Sequence, residues 1–556
     1  MIIRPLCPDG HRGFFHETVP RKEGKLMAFG DLALKLGMLL VFFGVMVYVG
    51  FYCRKHSTDV NGFVLGGRSV GPWLTAFAYG TSYFSAVIFV GYAGQFGWKF
   101  GIAATWVGIG NALIGSLMAW VILGRRTRIM TQHLSSATMP DFFSKRFSAP
   151  SLKIAASIII FIFMIPYTAS LYNGLSRLFN MAFNVDYSVC VIVMAVLTAI
   201  YVIVGGYMAT AVNDFIQGLI MLVGIVAVIA AVLGSKGGFM ASLQGLAAAQ
   251  DAGIANGSVP GIFNSFFGPD PLSLFGVVIL TSLGTWGLPQ MVGKFYAIKS
   301  EAHIHKGTII STVFAMVVAG GCYFLGGFGR LFAAELGAAE GGTPAGGFDN
   351  VIPTMLKTLS PFLIAVVIIL VLSASMSTLS SLVLTSSSTV TLDLLKGRVV
   401  KEMDEKKQLL VMRVLIVVFI VISAALAIVQ ANSSVAFIAQ AMGVSWGAMA
   451  GAFLAPFLYG LYWKRTTKQG CWAAMLFSSV FMIIDMLVNL KVLSLNLGFL
   501  ASPINAGAFC MLAGLVIVPA VSMLFKAPDR DEVDSIFSCY QRKVIVAAKD
   551  SIETEE

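Results

Sequence analysis

The chain has 556 residues, of which 57% are hydrophobic and only 12% are charged, and its formal net charge is +11. This composition excludes a soluble globular protein and indicates many membrane-spanning helices, among which the 57 glycines suit close packing. The sequence also lacks the His-Glu-x-x-His and nucleophile-elbow patterns of hydrolytic enzymes, so a membrane enzyme is not expected.

Residues 1–26 contain five basic residues immediately before the first apolar stretch. Lys22-Glu23-Gly24, just upstream of Met27, is also what a purine-rich ribosome-binding sequence spells when it is translated. We therefore expect a bacterial chain whose natural start is Met27, with residues 1–26 as an extension that is not native. A short disordered tail on the outer side of the membrane is the alternative.

Thirteen apolar stretches follow, each long enough to cross the roughly 30 Å hydrocarbon core of a bilayer. They lie at residues 30–52, 72–96, 102–124, 153–180, 187–206, 213–234, 271–291, 307–331, 361–389, 408–430, 434–461, 471–490 and 503–526. Basic residues concentrate in alternate connections between them. These connections contain Arg54-Lys55, Arg125-Arg126-Arg128 with Lys145-Arg146, Lys294-Lys299-Lys306, Lys396-Arg398-Lys401-Lys406-Lys407, and Lys464-Arg465-Lys468.

Because cytoplasmic loops carry an excess of Lys and Arg, we expect the N-terminus outside and the C-terminus in the cytoplasm. An odd number of spans requires ends on opposite sides, so the two inferences agree. This topology fits a multi-pass protein of the bacterial inner membrane, and it explains the positive net charge without nucleic acid. The charged segment at 527–556 is expected to be a cytoplasmic tail, and it is too short for a catalytic domain.

Two of the predicted spans are polar in their middle. The second contains Ala78-Tyr-Gly-Thr-Ser-Tyr-Phe-Ser-Ala86, and the seventh contains Thr281-Ser-Leu-Gly-Thr-Trp-Gly-Leu-Pro-Gln290. In carriers built from inverted repeats, interrupted helices at matching positions mark the binding site, because unwound backbone offers carbonyls to a cation and N–H groups to a carboxylate. For either span alone, close packing is the alternative. The glycines concerned are Gly80, Gly284 and Gly287.

The ninth span carries hydroxyl residues in an otherwise apolar stretch, 371–385. The hydroxyl oxygens of Ser377 and Thr378 are suitable ligands for a sodium ion, and they avoid the cost of a carboxylate at that depth. Bonding between packed helices is the alternative role. Acidic residues are few in or beside the spans, which favours sodium over protons as the coupling ion. They are almost limited to Asp31, Asp214, Asp393 and Asp485.

Five motifs occur in order along the chain. They are Phe63-Val-Leu-Gly-Gly-Arg-Ser69, Gly205-Gly-Tyr-Met-Ala-Thr-Ala-Val-Asn-Asp-Phe-Ile-Gln217, Gly287-Leu-Pro-Gln290, Met376-Ser-Thr-Leu-Ser380 and Tyr462-Trp-Lys-Arg-Thr-Thr-Lys-Gln-Gly470. Through these motifs, the chain resembles the sodium/solute symporters over roughly residues 30–526. This family includes sodium/proline, pantothenate and sodium/glucose carriers. The resemblance implies an all-α, polytopic membrane protein with 13 transmembrane helices and an inverted-repeat core of the leucine-transporter (LeuT) type. The repeats are expected at about 72–234 and 271–461 of a single transmembrane domain, 27–526.

The same resemblance implies a sodium site. Its ligands would be the backbone carbonyls of Thr81, Phe84 and Ala374 and the hydroxyls of Ser377 and Thr378. Asp214 matches an acidic position that lies on the cytoplasmic exit of the ion in the family. A role in capping the sixth span is also open to Asp214, because Asn213 and Asp214 suit a helix N-terminus.

The resemblance places the substrate beside that site, between the two broken spans and the fourth and eleventh spans. The candidates are Ser85, Ala86, Val87, Tyr167, Thr281, Thr285, Trp286, Gln290 and Gln440. For Trp286 and Gln440, a role in helix packing is equally open. Tyr83 stands where proline carriers have an acidic residue and Val87 where they have an aromatic one, which puts proline in doubt. Ser85-Ala-Val87 looks like the branch for monocarboxylates, vitamins and iodide, and 213–218 and 351–355 look like pantothenate permease.

We therefore expect a sodium-coupled symporter that imports a small organic solute by alternating access. The solute would be a monocarboxylate, a pantothenate-like compound or an amino acid. No cofactor beyond the coupling ion, no nucleic acid and no enzymatic activity are expected. A symporter-like sensor or an ion channel without accumulation is the alternative. The number of sodium ions and the oligomeric state stay open.

Overall fold

The computed structural model describes residues 23–541, apart from 184, 255, 339–340, 397–399, 401 and 432–437. Residues 1–22 of the expected N-terminal extension and 542–556 of the expected tail lie outside the described residues. The described residues form helices joined by loops, with no strand longer than an isolated bridge. This agrees with the predicted all-α membrane protein.

Ten helices lie in the part of the chain before residue 250. They are α1 (Glu23–Cys53), α2 (Val60–Leu65), α3 (Pro72–Tyr83), α4 (Ala93–Phe100), α5 (Thr105–Gly110), α6 (Arg125–His133), α7 (Met139–Arg146), α8 (Pro150–Phe183), α9 (Tyr187–Ser235) and α10 (Phe239–Ala248). Stretches of π-helix continue the second and third predicted spans. They lie at Val87–Tyr92, Asn111–Met118 and Trp120–Gly124.

The rest of the described chain contains ten more helices. They are α11 (Pro271–Gly287), α12 (Pro289–Ala297), α13 (Ala302–Gly326), α14 (Val351–Leu356), α15 (Pro361–Thr389), α16 (Glu405–Ala431), α17 (Ile438–Tyr462), α18 (Lys468–Asn489), α19 (Pro503–Leu524) and α20 (Arg530–Phe537). Several begin with proline, which suits the first helical turn because its N–H would have no partner there.

Ten helices among the described residues are long and apolar enough to cross a membrane, and α11 with α12 adds one more as a single bent span. The thirteen predicted stretches fall mainly on helical residues. However, α3 has only 12 residues, and the segment Tyr187–Ile200 of α9 is also short. The count of thirteen therefore stays a prediction.

Helix α9 runs through both the fifth and the sixth predicted spans and is interrupted at Gly206. Gly206 has φ 56° and ψ −150°, a conformation that is essentially restricted to glycine. Asp214 lies about two turns further on, inside the helix. The capping role considered for Asp214 is therefore wrong, because no helix begins at that residue.

Both polar spans are broken within the ranges that the sequence indicates. Helix α3 ends at Tyr83, and Phe84 is extended (φ −94°, ψ 130°) before the chain becomes helical again at Val87. Helices α11 and α12 meet at an angle of 45° at Leu288, which is extended (ψ 122°) because the following proline disfavours a helical conformation.

The glycines beside these breaks lie inside the helices and allow close packing. A Cβ atom on Gly80 would lie 2.4 Å from the ring of Phe314, and one on Gly284 would lie 2.8 Å from the ring of Trp446. Breakage and close packing, considered above as alternatives, therefore occur side by side in each span.

The two broken spans lie at the centre of the bundle. Helix α3 packs on α9, α13 and α15, and α11 packs on α17 and α19. Helix α15 also contacts α8, and α17 contacts α8 and the π-helical stretch Val87–Tyr92. Helices α8, α15 and α17 therefore surround the breaks, whereas α1 packs on α9 and α15 and α18 packs mainly on α17 and α19.

Candidate functional site

The hydroxyl of Thr378, on α15, lies among backbone carbonyls of the first break. Its Oγ1 is 3.1 Å from the carbonyl oxygen of Phe84, 3.4 Å from that of Thr81 and 3.1 Å from that of Ala374. All these residues are buried. One hydroxyl proton cannot satisfy three carbonyls, so this cluster has spare lone pairs that a cation would fill.

The neighbouring hydroxyl completes the predicted ligand set. Ser377 donates a hydrogen bond of 2.8 Å to Oγ1 of Thr81, which in turn donates to the carbonyl of Phe77 at 2.8 Å. The structure thus brings the five predicted sodium ligands together, with Ser377 facing the side chain of Thr81. Oxygen donors without a carboxylate suit a monovalent hard cation better than a divalent one.

A buried charge pair lies beside these hydroxyls. Nζ of Lys294, on α12, is 3.7 Å from Oδ2 of Asp214, and the two side chains are 3% and 0% exposed. The same Nζ donates to Oγ of Ser381 at 3.0 Å, and Ser381 is hydrogen-bonded to Ser82 at 2.8 Å. Asp214 therefore lies near the predicted sodium ligands, and its exit role stays a prediction.

The sequence prediction placed Lys294 in a cytoplasmic connection, and this is wrong. The helix that restarts at Pro289 continues to Ala297, so Lys294 lies on its buried side. The signal that was missed is the proline, because Pro289 suits the first position of a new helix, which places Lys294 within a helix and not in a loop.

The predicted substrate residues at the first break lie in a fully buried region. Ser85, Ala86 and Val87 have no exposed surface. The backbone N–H of Ala86 donates to Oγ of Ser375 at 3.3 Å. The hydroxyls of Ser85 and Tyr167 make no hydrogen bond of 3.5 Å or less to a described residue. Buried hydroxyls in this state are available to a polar ligand.

An aromatic group from three helices stands next to these hydroxyls. The ring of Trp446, on α17, is 5.9 Å from the ring of Tyr167, on α8, and 6.1 Å from the ring of Tyr83, on α3, measured between ring centres. The indole N–H of Trp446 makes no hydrogen bond of 3.5 Å or less in the described chain, and the hydroxyl of Tyr167 is its polar neighbour. Sequence reasoning missed Trp446. A tryptophan inside a membrane helix needs a partner for its N–H, and that requirement was the available signal.

The remaining candidates lie in other places. Thr281, Thr285 and Trp286 donate to oxygens of Asn111, Gly115 and Ile114 at 2.8, 2.9 and 2.9 Å, respectively. These bonds support the packing role for Trp286. Gln290 is 2% exposed, and its amide has no described partner. Gln440 is partly exposed, and no hydrogen bond joins it to the other candidates within the described residues.

Two cavities flank the broken helices. One of about 50 Å³ is lined by apolar and polar residues, and the polar ones include Gln290, Lys294 and Ser388. The other, of about 410 Å³, is lined by residues that include Lys99 and Val277. Val277 lies before the break in the seventh span and Gln290 lies after it, so the cavities approach the candidate site from opposite sides.

Outside the spans, Arg68 of the first motif supports the end of α12. Its guanidinium donates to the carbonyls of Tyr296 at 3.1 Å and Ser136 at 2.6 Å. Burial lowers the pKa of Arg68 to about 10, and the charge of Arg128 adds to this effect. Arg68 stays protonated at neutral pH, so a charged guanidinium makes the hydrogen bonds that hold the end of α12.

Two helices broken at matched positions around a buried cluster of oxygens define a secondary transporter. The model of the Sodium:solute symporter family matches residues 63–478, and the chain belongs to this family. The protein is therefore a sodium-coupled solute symporter of the membrane and not an enzyme.

Individual relatives agree with this assignment. The osmoregulated proline transporter OpuE of Bacillus subtilis is 28% identical over 506 residues, which are 90% of this chain and 96% of the relative. The sodium/proline symporter of Escherichia coli is 28% identical over 465 residues, 82% of this chain and 88% of the relative.

A solved structure shares the fold. It is the substrate-bound, outward-open state of a sodium-coupled sialic acid symporter, with a TM-score of 0.72 and 17% identity over 89% of this chain and 98% of that chain. The architecture is of the LeuT type, as predicted.

Proposed function

We propose that this symporter binds sodium at the five predicted residues and imports a small organic monoanion or zwitterion with it. The observation that carries the proposal is the cluster of carbonyls around the hydroxyl of Thr378, where α3 ends and α15 passes. The ligands are Thr81, Phe84, Ala374, Ser377 and Thr378. They are neutral, so a bound sodium ion keeps its positive charge for a nearby carboxylate.

The charges around the breaks support this substrate class. Lys294 and Asp214 balance each other, and helix termini at the two breaks offer N–H groups to one carboxylate. A second negative charge would have no partner, at a cost of several kcal/mol. Di- and tricarboxylates are therefore expected to bind weakly, and sugars are not expected.

The named relatives bring proline, a zwitterion, into the candidate class. Against proline stand Tyr83 and Val87, which differ from the residues of proline carriers. Monocarboxylates, pantothenate-like compounds and other amino acids remain in the same class. Ser85, Ala86, Val87 and Tyr167 would contact the substrate, together with Trp446.

We place the N-terminus outside and the C-terminus in the cytoplasm of a bacterial inner membrane, by the distribution of basic residues. The 410 Å³ cavity beside Lys99 then faces outward, and the 50 Å³ cavity beside Lys294 faces the cytoplasm. Repeats at about 72–234 and 271–461 would move against each other and open these cavities in turn.

The sodium gradient supplies enough free energy for accumulation. One sodium ion crossing about 100 mV gains roughly 2.3 kcal/mol, and a tenfold concentration ratio adds about 1.4 kcal/mol. For a neutral or zwitterionic solute, the sum allows accumulation of several hundredfold. A monoanion and one sodium ion together carry no net charge across the membrane. The membrane potential would therefore drive uptake of a monoanion only if a second sodium ion moved with it.

Two measurements test the proposal. Thermal unfolding of the purified protein with small acids and amino acids, with and without sodium, identifies ligands, because a ligand stabilises the state that binds it. Uptake of a radiolabelled hit into proteoliposomes under a sodium gradient then shows accumulation. Strong competition by succinate or citrate, with none from monocarboxylates, pantothenate or amino acids, would contradict the substrate class. Equilibration without accumulation would favour a channel or sensor.

A further inference from the structure

Lys294 and Asp214 form a charge pair in the interior of the bundle that the proposed sodium site does not use. Their side chains are almost fully buried, and the distance of 3.7 Å between Nζ and Oδ2 is longer than a hydrogen bond. No described residue donates a hydrogen bond of 3.5 Å or less to either carboxylate oxygen of Asp214, and the hydroxyl of Ser377 lies beside the same carboxylate. The ammonium of Lys294 therefore balances the charge of Asp214 without a close hydrogen bond, and another cation can replace the ammonium at this carboxylate.

The ammonium of Lys294 is anchored to the elements that carry the proposed sodium ligands. It donates to Ser381 at 3.0 Å, and Ser381 is hydrogen-bonded to Ser82 at 2.8 Å. Ser82 directly follows Thr81, and Ser381 lies one helical turn after Ser377. Lys294 is thus linked through Ser381 and Ser82 to residues within about one helical turn of the proposed sodium ligands.

Lys294 also belongs to the second broken span. It lies on α12, which begins at the break at Leu288, and it lines the 50 Å³ cavity together with Gln290. The attraction between Lys294 and Asp214 joins α12 to α9. If another cation replaces Lys294 beside Asp214, the attraction that holds α12 against α9 is lost.

We propose that Lys294 is a positioning residue that acts as a tethered cation in competition with sodium for Asp214. The ammonium neutralises Asp214 when sodium is absent, gives way as sodium moves toward the cavity, and returns to displace the ion. Sodium release is thereby coupled to the position of α12. This inference rests on the proposed sodium site and adds to it the residue that expels the ion.

Removing the ammonium of Lys294 tests the inference, because the expected result is a higher affinity for sodium. Damage to the fold would lower that affinity instead. We expect Lys294→Met to bind sodium about tenfold more tightly, because Asp214 then lacks its built-in partner. The rate of solute transport is expected to fall, since sodium leaves more slowly. Binding of radioactive sodium to the purified protein measures the affinity, and uptake into proteoliposomes measures the rate.

Two variants serve as controls, and a third can replace the test variant. Lys294→Arg keeps the positive charge and is expected to stay within about threefold of the natural protein in sodium affinity. Asp214→Asn combined with Lys294→Met removes the attracting carboxylate, so the gain of affinity should vanish. If Lys294→Met does not fold, Lys294→Gln carries the same expectation, because its amide can still donate to Ser381.

Two results would overturn the inference. One is unchanged or weaker sodium binding by the folded neutral variants, and the other is an equal gain of affinity in the double variant. Thr378→Ala, measured in parallel, separates this inference from the proposed site. Loss of sodium binding in Thr378→Ala together with no gain in Lys294→Met refutes only the tethered cation, whereas normal binding in Thr378→Ala refutes the site itself.

Discussion

The hydroxyl oxygen of Thr378 lies 3.1 Å from the carbonyl oxygen of Phe84, the residue at which α3 ends. The extended conformation of Phe84 takes its carbonyl out of the helical hydrogen-bond pattern, so that it faces α15. The break in α3 and the hydroxyl in α15 thus place a free carbonyl oxygen and a hydroxyl oxygen side by side. Neither feature alone would distinguish a cation site from ordinary packing between membrane helices.

Loss of hydroxyls on α15 should weaken sodium binding. We expect Ser377→Ala or Thr378→Ala to lower the affinity for sodium by about tenfold or more, because each variant removes one of the oxygen ligands. Substrate affinity at saturating sodium should change much less. The sodium dependence of uptake into proteoliposomes measures both quantities.

A matched control is available on the same helix. The hydroxyl of Ser387 is buried and donates to the carbonyl of Leu384 within α15 at 3.2 Å. Ser387→Ala should therefore leave the sodium dependence unchanged. If the double variant of Ser377 and Thr378 behaves like Ser387→Ala, these hydroxyls serve packing only.

The break in α9 should require glycine at residue 206. Gly206→Ala forces a side chain into a conformation that costs about 1–3 kcal/mol, and its Cβ would lie 2.8 Å from the ring of Phe63. We expect a clearly lower midpoint of thermal unfolding in detergent. Gly234→Ala, near the end of α9, is the control, since no atom lies within 4 Å of its added Cβ. Equal midpoints for the two variants would show that the break is not a constraint.

A second buried ion pair, which joins the turn after α13 to the loop after α10, should stabilise the loops around the larger cavity. Arg330 donates to Asp251 at 3.0 Å and to the carbonyl of Trp98 at 2.8 Å, and both charged side chains are almost fully buried. Burial lowers the pKa of Arg330, and the hydrogen bond and charge of Asp251 oppose this shift. Asp251 thus keeps the guanidinium charged in its buried position.

We expect Asp251→Ala to reduce the free energy of unfolding by about 3–5 kcal/mol, because it leaves a buried guanidinium without its partner. Glu335→Ala is the control, since the pair between Glu335 and Lys236 is exposed and worth at most about 1 kcal/mol. Thermal unfolding of both variants in the same detergent measures the difference. Similar losses would mean that the buried pair has no special role.

Local sequence patterns were enough to predict the helical breaks and the hydroxyls of α15. Pro289 disfavours a helical conformation at Leu288, and Ser377 and Thr378 are unusual in an apolar span. Both signals lie within a few residues of the feature they predict. The resemblance to a known family then supplied the pairing of these features, which are almost 300 residues apart in the chain.

Contacts that depend on packing between distant helices were not predictable in the same way. Lys294 was assigned to a loop because charge near a span usually indicates its end, whereas its partner Asp214 lies 80 positions earlier in the sequence. Trp446 resembles any other apolar residue of its span until Tyr167 is placed against it. The hydrogen bonds of Thr281 and Trp286 with the third span likewise appear only in three dimensions.

Trp446 should determine the affinity for the substrate rather than for sodium. Its indole N–H makes no hydrogen bond of 3.5 Å or less to a described residue, and its polar neighbour is the hydroxyl of Tyr167, so we expect a bound carboxylate or hydroxyl in this buried region to be its acceptor. We expect Trp446→Phe to raise the KM for the solute by about tenfold, the equivalent of one hydrogen bond to a charged group. Sodium affinity should stay within about twofold, because Thr378 and the carbonyls around it are unchanged.

Trp120→Phe is a suitable control for this prediction. The indole of Trp120 is also fully buried and its N–H also lacks a described partner, but its ring packs on Tyr79 and Phe295 and not on Tyr167. Initial rates of sodium-driven uptake over a range of solute concentrations measure KM for both variants. A raised KM in Trp446→Phe alone would support a substrate contact. An equal rise in both variants would mean that a buried tryptophan in either position acts through helix packing, and Trp446 would then lose its place in the proposed pocket.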